Sequence, residues 1–195
     1  MGNHYFDQKQ MSPQNRKEVS FRFLSANYTF ISDSGVFSKD GLDTGTKILL
    51  ETLVKQTLTG KGLDYGCGIG TIGILLKDHF KHLTISGFDI NERAVQLAQL
   101  NAKKNKVDVD FYQNDKIDQG LYDFIILNPP IRSGKKNIYQ MFKDSYDHLL
   151  EGGQFWIVIR KSHGALSAIK ELQNYFKEVE VVNKDKGFFI IASSK

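Results

Sequence analysis

From Lys61 onward, the chain alternates short apolar segments with segments whose apolar residues recur at helical spacing. The apolar segments predict seven strands, at 63–65, 83–88, 107–112, 122–127, 154–159, 178–182 and 187–192. The helical spacing predicts four helices between them, at 69–80, 92–105, 138–150 and 166–176. Strands that alternate with helices are typical of a doubly wound α/β sheet with helices on both faces. The last two strands are joined by a turn-rich link at 183–187, which predicts a terminal antiparallel hairpin.

The first 59 residues have a different character. Alternating apolar residues at 19–24 and 28–31, separated by Ser25-Ala26-Asn27, predict a small β-hairpin. Apolar residues at helical spacing predict a helix from about Thr44 to Gln56. We expect a single domain over residues 1–195, with an N-terminal appendage at 1–59 packed on a core at 60–195.

Composition limits the classes of protein to consider. The chain has 195 residues, of which 41% are hydrophobic, enough for one well-packed domain. Its net charge of +4 permits an anionic partner without requiring one. Cys67 is the only cysteine, so no disulfide can form within the chain, and the five histidines have no metal-ligand spacing; no metal is expected. No signal pattern and no apolar run of roughly 18 residues are present, which predicts a cytoplasmic protein without a membrane segment.

A glycine-rich loop follows the first core strand and opens a helix. Its glycines, Gly66, Gly68 and Gly70, have the spacing G-x-G-x-G, whereas a dinucleotide fingerprint would need G-x-G-x-x-G. Cys67 lies within the loop, and Asp64 precedes it. A carboxylate here favours a cationic or amine-bearing ligand, and S-adenosylmethionine carries both a sulfonium and an ammonium group. The loop is therefore predicted to bind S-adenosylmethionine.

Two further acids occur at the ends of the next strands. Asp89, followed by Ile90, comes about 20 residues after the loop, where an acid can accept hydrogen bonds from ribose hydroxyls. Asp115 follows the third strand, where it could accept a hydrogen bond from an adenine amino group or serve as an ordinary turn acid. Together with Asn128, these residues complete the predicted cofactor site.

The tetrapeptide Asn128-Pro129-Pro130-Ile131 closes the apolar run at 123–127. Two prolines cannot continue a sheet ladder, so the Asn128 carboxamide is expected at the carboxyl end of a buried strand, where ligands bind in open α/β sheets. The carboxamide and the rigid backbone carbonyls that follow form a fixed set of hydrogen-bond acceptors. Such a set suits an exocyclic amino group.

Taken together, the glycine loop, Asp89, Asp115 and the Asn-Pro-Pro-Ile tetrapeptide resemble class I S-adenosylmethionine-dependent methyltransferases. The longer string 128–135, with Gly35-Val36-Phe37-Ser38 upstream, resembles the guanine-N2 methyltransferases of small-subunit ribosomal RNA. The resemblance implies a Rossmann-like, seven-stranded sheet and transfer of a methyl group to a guanine N2 amino group in 16S ribosomal RNA. Larger members carry a second, degenerate domain at the N-terminus, and this chain resembles their catalytic half.

For that reaction, the oxygen of Asn128 and the carbonyl of Pro129 would accept the amino hydrogens of the target base. Ile131 and Phe37 could contact the face of the base, although Phe37 could equally be a core aromatic residue. A cationic loop would contact phosphates of ribosomal RNA or of an assembled small subunit, unless it is simply solvated; it contains Arg132, Lys135 and Lys136. The oligomeric state stays open.

Two alternatives remain. The acceptor could be another planar amine, either adenine N6 in nucleic acid or a glutamine side chain in a protein such as a release factor. Relatives with those substrates usually carry an aromatic residue after Asn-Pro-Pro, where this chain has Ile131. Alternatively, the chain could be a cofactor-binding or structural module that has lost its activity, because a fold alone does not establish function. A binding-only module, however, would have no chemical need for Asn128.

Overall fold

The computed structural model describes residues 15–33 and 42–195. It contains nine strands and five α-helices in these ranges. The strands are β1 Arg16–Phe23, β2 Ala26–Asp33, β3 Lys61–Tyr65, β4 Thr84–Asp89, β5 Asp110–Gln113, β6 Tyr122–Leu127, β7 Leu149–Arg160, β8 Glu178–Asp185 and β9 Phe188–Ser194. The helices are α1 Thr44–Leu53, α2 Thr71–His79, α3 Glu92–Asn105, α4 Lys135–Asp147 and α5 Ala165–Leu172.

Strands β3 to β9 form one seven-stranded sheet in the order β5-β4-β3-β6-β7-β9-β8. The pairs β3/β4, β3/β6, β4/β5 and β6/β7 are parallel, and β9 is antiparallel to both of its neighbours. The mostly parallel sheet and its terminal hairpin are thus confirmed. The hairpin folds back so that β9, not β8, lies against β7.

Alternate residues of the strands build a separate core on each face of the sheet. On one face, Phe124, Ile126 and Trp156 pack with α1, α2, α3 and the hairpin β1/β2. On the other face, Ile125 and Leu127 pack with α4 and α5. Because β6 is apolar on both faces, it reads as a continuous apolar run, which is the expected pattern for a central parallel strand.

The hairpin β1/β2 is fastened to the core by two asparagines of α3. The side chain of Asn101 accepts a hydrogen bond from the Ile31 amide (2.6 Å) and donates to the Ile31 carbonyl (3.1 Å). Asn105 makes the same pair of bonds with the backbone of Thr29. The two carboxamides replace a third strand at the free edge of β2. Asn101 also donates to the carbonyl of Ile69 (3.0 Å), which joins the hairpin to the glycine loop.

Several element boundaries differ from those predicted. The hairpin turns at Leu24-Ser25, with Leu24 at a φ of 52°, rather than at residues 25–27. The helix predicted at 138–150 spans Lys135–Asp147, and β7 begins at Leu149, five residues before the predicted strand. Gly152, with a φ of 75°, and a register shift between Tyr122 and Phe124 allow this early start. An irregular strand of this kind has no clean period of two in its sequence.

Replacing Asn101 with Ala is expected to destabilise the protein. The change would leave three backbone groups without their side-chain partner at a fully buried position. A buried group without a partner costs about 1–3 kcal/mol, so we expect a loss of about 2–4 kcal/mol in the free energy of unfolding. Chemical denaturation measures it. The matched control is Asn174→Ala, an exposed asparagine bonded to Glu171, which should change stability by less than about 0.5 kcal/mol. An equal, small effect in both variants would contradict the role of Asn101.

Candidate active site

The glycine loop connects β3 to α2 in a conformation that requires glycine. Gly66, Gly68 and Gly70 all have positive φ angles, of 68°, 55° and 85°. At Gly70 a side chain would also collide with the core, since a Cβ would lie 2.9 Å from the Phe111 ring. The loop is held to the next strand by a hydrogen bond from the Cys67 amide to the Phe88 carbonyl (2.9 Å). The three glycines therefore bring bare backbone to the carboxyl edge of the sheet.

Asp89 organises the floor of this site. It ends β4 and is buried, and one carboxylate oxygen accepts a hydrogen bond from the Gly68 amide (2.9 Å). The other oxygen accepts from the Asn91 amide (2.9 Å), and Asn91 in turn caps α3. Each carboxylate oxygen can accept more than one hydrogen bond. Asp89 thus fixes the loop relative to α3.

Asp64 has a different position from the one its sequence suggests. Its carboxylate is only 1% exposed and accepts a hydrogen bond from the Gly73 amide in the first turn of α2 (2.9 Å). Burial, followed by the charge of Asp89, raises the pKa of Asp64 to about 7. The other oxygen, Oδ1, has no partner among the described residues. Asp64 therefore fixes the start of α2 from inside the core and is not exposed at the surface of the loop.

Cys67 is buried, and its thiol points into the core rather than toward the site. Burial, with the charges of Asp64 and Asp89, raises the pKa of the thiol. A thiol of this kind is a poor nucleophile, because the thiolate is the reactive form. Cys67 therefore serves as a small packing residue within the loop.

Beside the loop, the segment after β5 approaches Asp89. The Asn114 amide donates to the Asp89 carbonyl (3.2 Å), and the side chain of Gln113 donates to the Ile90 carbonyl (3.1 Å). These bonds hold the end of β5 against the end of β4. Ile90 is half-buried, and Asp115 is exposed.

Asn128 lies directly beside the loop because β3 and β6 are adjacent parallel strands. Tyr65 pairs with Leu127 in the register of these strands, so Gly66 and Asn128 follow at the same level. The Asn128 side chain is half-buried, and its Nδ2 donates a hydrogen bond to Oγ1 of Thr46 (3.0 Å). This bond orients the amide, so Oδ1 is the side-chain atom that can accept a hydrogen bond from a bound molecule.

Thr46 was not anticipated from the sequence. It is buried in the first turn of α1, and its amide donates to the N-cap residue Asp43 (3.0 Å). The contact between Thr46 and Asn128 joins residues 82 positions apart. No local spacing reveals such a pair, although Asp43 as a helix N-cap is a recognisable signal.

After Asn128 the chain turns sharply through a 3₁₀ segment at Ile131–Ser133. Pro129 is buried, and the carbonyl of Pro130 accepts hydrogen bonds from both the amide (2.9 Å) and the hydroxyl (2.8 Å) of Ser133. Because both of its lone pairs are used, Pro130 shapes the turn and is not an available acceptor. Ile131 is half-buried against the α4/α5 core, and Arg132 is exposed.

The sequence predicted Lys135 and Lys136 in a loop, but the structure places them in a helix. They form the first turn of α4, which begins behind Gly134 without a side-chain cap and without an acidic residue in that turn. The helix dipole makes cations unfavourable at this end, by about 0.3–1 kcal/mol each. Phe37 and the segment Gly35-Val36-Phe37-Ser38 lie outside the described residues.

The family model described as "Methyltransferase small domain" matches residues 27–192. The chain belongs to this family. The match extends from the β1/β2 hairpin to the last strand and includes every element of the site. Across residues 15–33 and 42–195, no cluster of three potential metal ligands was found, and no helix is long and apolar enough to cross a membrane.

Individual relatives agree with this assignment. The chain is 43% identical to the uncharacterized protein YbxB of Bacillus subtilis (strain 168), with 100% of both chains covered. It is 34% identical to ribosomal RNA small subunit methyltransferase C of Haemophilus influenzae (strain PittGG), over 80% of this chain and 48% of that protein. The chain thus spans about half the length of these methyltransferase C relatives.

A solved structure matches the fold closely. The T. thermophilus 16S rRNA guanine-N2 methyltransferase RsmC, in complex with AdoMet and guanosine, superimposes with a TM-score of 0.83. It is 23% identical, and the match covers 94% of this chain and 51% of that one. At this identity the similarity establishes the fold, which confirms the Rossmann-like architecture expected from the sequence.

Asp64 should give stability a pH dependence that Asp64→Asn removes. The folded-state pKa of about 7 lies above the ordinary value near 4, so between these values the folded protein holds a proton that the unfolded chain releases. The stability linked to Asp64 is therefore full below about pH 4 and is lost as the pH rises through about 7. Asn keeps an oxygen for the Gly73 amide and cannot ionise. Between pH 5 and pH 8 we expect Asp64→Asn to gain on the order of 2–4 kcal/mol relative to wild type.

Thermal or chemical denaturation at several pH values measures this difference. Asp108→Asn removes the same formal charge from an exposed position and tests whether charge alone alters the profile. Parallel stability curves for wild type and Asp64→Asn across this pH range would contradict the assigned role.

Proposed function

We propose that this chain transfers a methyl group from S-adenosylmethionine to the exocyclic N2 amino group of a guanine in small-subunit (16S) ribosomal RNA. One observation carries the proposal. The glycine loop and Asn128 follow paired residues of two adjacent parallel strands, so a cofactor on the loop and an amino group on Asn128 would meet at one edge. Ligands bind at this edge in open α/β sheets.

Similarity supports the choice of substrate. The methyltransferase C relatives carry small-subunit ribosomal RNA in their name, and the structural neighbour was solved with AdoMet and guanosine. The proposal extends these properties to a chain that spans about half of those proteins. A cytoplasmic location follows from the same proposal.

The described residues fit the cofactor. The positive-φ backbone at Gly66 and Gly68, which are both half-buried, leaves room for the methionine part, while Gly70 lets the loop pack against the core. Asp89 would accept hydrogen bonds from the ribose hydroxyls while it keeps its bond to the Gly68 amide. Ile90 would lie against the adenine ring, and the exposed Asp115 would accept from the adenine amino group. Bound S-adenosylmethionine supplies the electrophilic methyl group.

Asn128 would prepare the acceptor nitrogen. The lone pair of a guanine amino group is delocalised into the ring, so the group must be held in a pyramidal geometry before it can attack. Oδ1 of Asn128 and the Pro129 carbonyl would accept the two amino hydrogens and direct the lone pair toward the loop. No strong base is needed, since the methylated nitrogen becomes acidic and loses its proton to water.

The amino group of a paired guanine is hidden, so the base must be unpaired or flipped out to reach Asn128. Ile131 is half-buried next to Asn128 and would contact the base, and Phe37 stays a candidate for the same role. Arg132, Lys135 and Lys136 would bind the phosphates that flank the target. The uncapped first turn of α4 supports this, because its backbone amides and two lysines together favour an anion.

Methylation of adenine N6 or of a glutamine side chain is the alternative. Both are planar amines that an Asn-Pro-Pro edge can bind. The residue after Asn-Pro-Pro favours guanine N2 over these two acceptors. Ile131 sits partly in the α4/α5 core and offers less surface for stacking than an aromatic ring would.

The direct test is transfer of labelled methyl from S-adenosylmethionine to naked 16S ribosomal RNA, assembled small subunits, DNA and protein extract, followed by digestion to nucleosides or amino acids. We expect label in N2-methylguanosine, and in Asn128→Ala we expect turnover to fall about 100-fold or more, with little change in cofactor affinity. The control Asn174→Ala should keep wild-type activity. Label in N6-methyladenine or methylglutamine, with none in N2-methylguanosine, would show that guanine is not the substrate. Full activity in Asn128→Ala would contradict the proposed role of Asn128.

Thr46 is expected to act as a positioning residue for Asn128. Thr46→Val keeps the shape of the side chain but removes the hydroxyl that accepts from Asn128 Nδ2. The amide could then rotate, so we expect kcat to fall roughly tenfold or more, while KM for RNA and cofactor affinity stay near wild type. Thr46→Ser, which retains the hydroxyl, should recover most of the activity. Equal kcat values for the Val and Ser variants would exclude this role.

A further inference from the structure

A second group of cations lies at the same edge of the sheet as Asn128. They come from two turns that the catalytic proposal does not use. Arg160 ends β7 and Lys161 begins the next turn, while Lys184 and Lys186 belong to the hairpin that joins β8 to β9. All four side chains are exposed. We call these four residues the β7/β9 basic surface.

The register of the sheet places this surface next to the site. Leu127, just before Asn128, pairs with Ile157, so β7 continues past the end of β6 to Arg160. Arg160 in turn pairs with Phe188 at the start of β9, and the Lys161 amide donates to the Gly187 carbonyl (2.8 Å). The two turns therefore meet, beside the strand that carries Asn128.

Aromatic rings hold two of the cations in place. The Arg160 guanidinium lies over the Phe188 ring, 5.1 Å from its centroid, and the Lys184 ammonium lies 4.9 Å from the centroid of Phe189. Phe188 also contacts the start of α1, where a Cβ on Gly45 would lie 3.0 Å from its ring. Gly45 precedes Thr46, so Asn128 is connected to Arg160 through Thr46, Gly45 and Phe188.

Among residues 15–33 and 42–195, none of the four cations of this surface forms an ion pair. Asp185 is the one acid in the two turns. Residues 128–136, 160–163 and 183–187 together hold seven Lys or Arg and one acid, whereas the whole chain has a net charge of +4. The remainder of the chain is therefore net acidic, and positive charge is concentrated at the edge that carries Asn128.

We propose that the β7/β9 basic surface binds the phosphate backbone of the RNA strand that carries the target base. A strand that places one base on Asn128 would cross β7 and β9 on one side and the first turn of α4 on the other. Exposed, unpaired Lys and Arg at fixed positions suit a polyanion, and they contribute affinity without reading sequence. The inference rests on the proposed function, since it assumes an RNA substrate at Asn128.

The test compares two variants that lose the same charge. One replaces Arg160, Lys161, Lys184 and Lys186 with Gln. The matched control replaces four exposed lysines at the ends of elements remote from Asn128 with Gln, namely Lys55, Lys81, Lys106 and Lys177. Binding of naked 16S ribosomal RNA and of a short single-stranded oligoribonucleotide is measured over a range of salt concentrations. Methyl transfer and cofactor binding are measured in parallel.

For the surface variant we expect RNA affinity to fall at least tenfold, and the slope of log affinity against log salt to decrease by about 2–3. KM for RNA should rise, while kcat and cofactor affinity stay near wild type. The double variant of Lys161 and Lys186, which leaves both cation–ring contacts intact, should show a smaller change in the same direction. The control variant should bind RNA within about twofold of wild type, because its positions are too far away to contact the strand.

The possible outcomes separate the two proposals. If the surface variant methylates guanine and binds RNA like wild type, this inference is wrong and the proposed function stands. If surface and control variants lose affinity equally, net charge and not this surface attracts RNA, which also overturns the inference. If the wild-type protein binds neither 16S ribosomal RNA nor the oligoribonucleotide and methylates only protein or DNA, the proposed function is wrong. The inference is then wrong as well.

Discussion

The pairing of β3 with β6 is the constraint on which the site depends. Tyr65 and Leu127 are partners in this parallel pair, so the residues that follow them emerge side by side at the carboxyl edge. One strand continues into a glycine loop and the other into Asn128-Pro129-Pro130. A shift of the register by one residue would move every β6 side chain to the opposite face of the sheet. Each side chain would then lie in the other core, where it does not fit the present packing. The apolar cores of the two faces therefore fix the distance between the loop and the acceptor amide.

The two buried carboxylates that bind the glycine loop and α2 lower the stability of the folded protein by their burial and mutual repulsion. Asp64 and Asp89 are both buried, and their mutual repulsion helps to raise the pKa of Asp64. Each accepts a hydrogen bond from a backbone amide, Gly68 for Asp89 and Gly73 for Asp64, so the two acids hold the loop at two points. Asn101 adds a third attachment, through the Ile69 carbonyl, and joins the loop to the N-terminal hairpin. The appendage thus contributes to the geometry of the loop although it lies outside the sheet.

Sequence patterns predicted the sheet well, because buried parallel strands appear as short apolar runs and their helices have a clear period. They also predicted the position of Asn128, Asp89 and the glycine loop at the carboxyl edge, since turns at strand ends carry strong local signals. The position of Asp64 could have been read from the alternation of β3, where Leu63 and Tyr65 face the α4/α5 core and Asp64 must face α2. The role of Thr46 could not be predicted from the sequence, because its contact with Asn128 depends on tertiary packing between residues 82 positions apart. The same holds for the basic surface, which comes together only when β9 inserts between β7 and β8.

Several local features at the carboxyl edge are unfavourable for the folded protein by themselves. Lys135 and Lys136 lie at the positive end of the α4 dipole, and the cations of β7 and of the β8/β9 turn repel one another. Other helix ends follow the usual rules, with Asp43 and Asn91 as N-caps and lysines in the last turn of α3. Departures from local preference that concentrate at one edge are expected at functional sites. A bound polyanion would reverse the sign of each of these unfavourable terms, so the charges that weaken the free protein are those that would stabilise its complex with RNA.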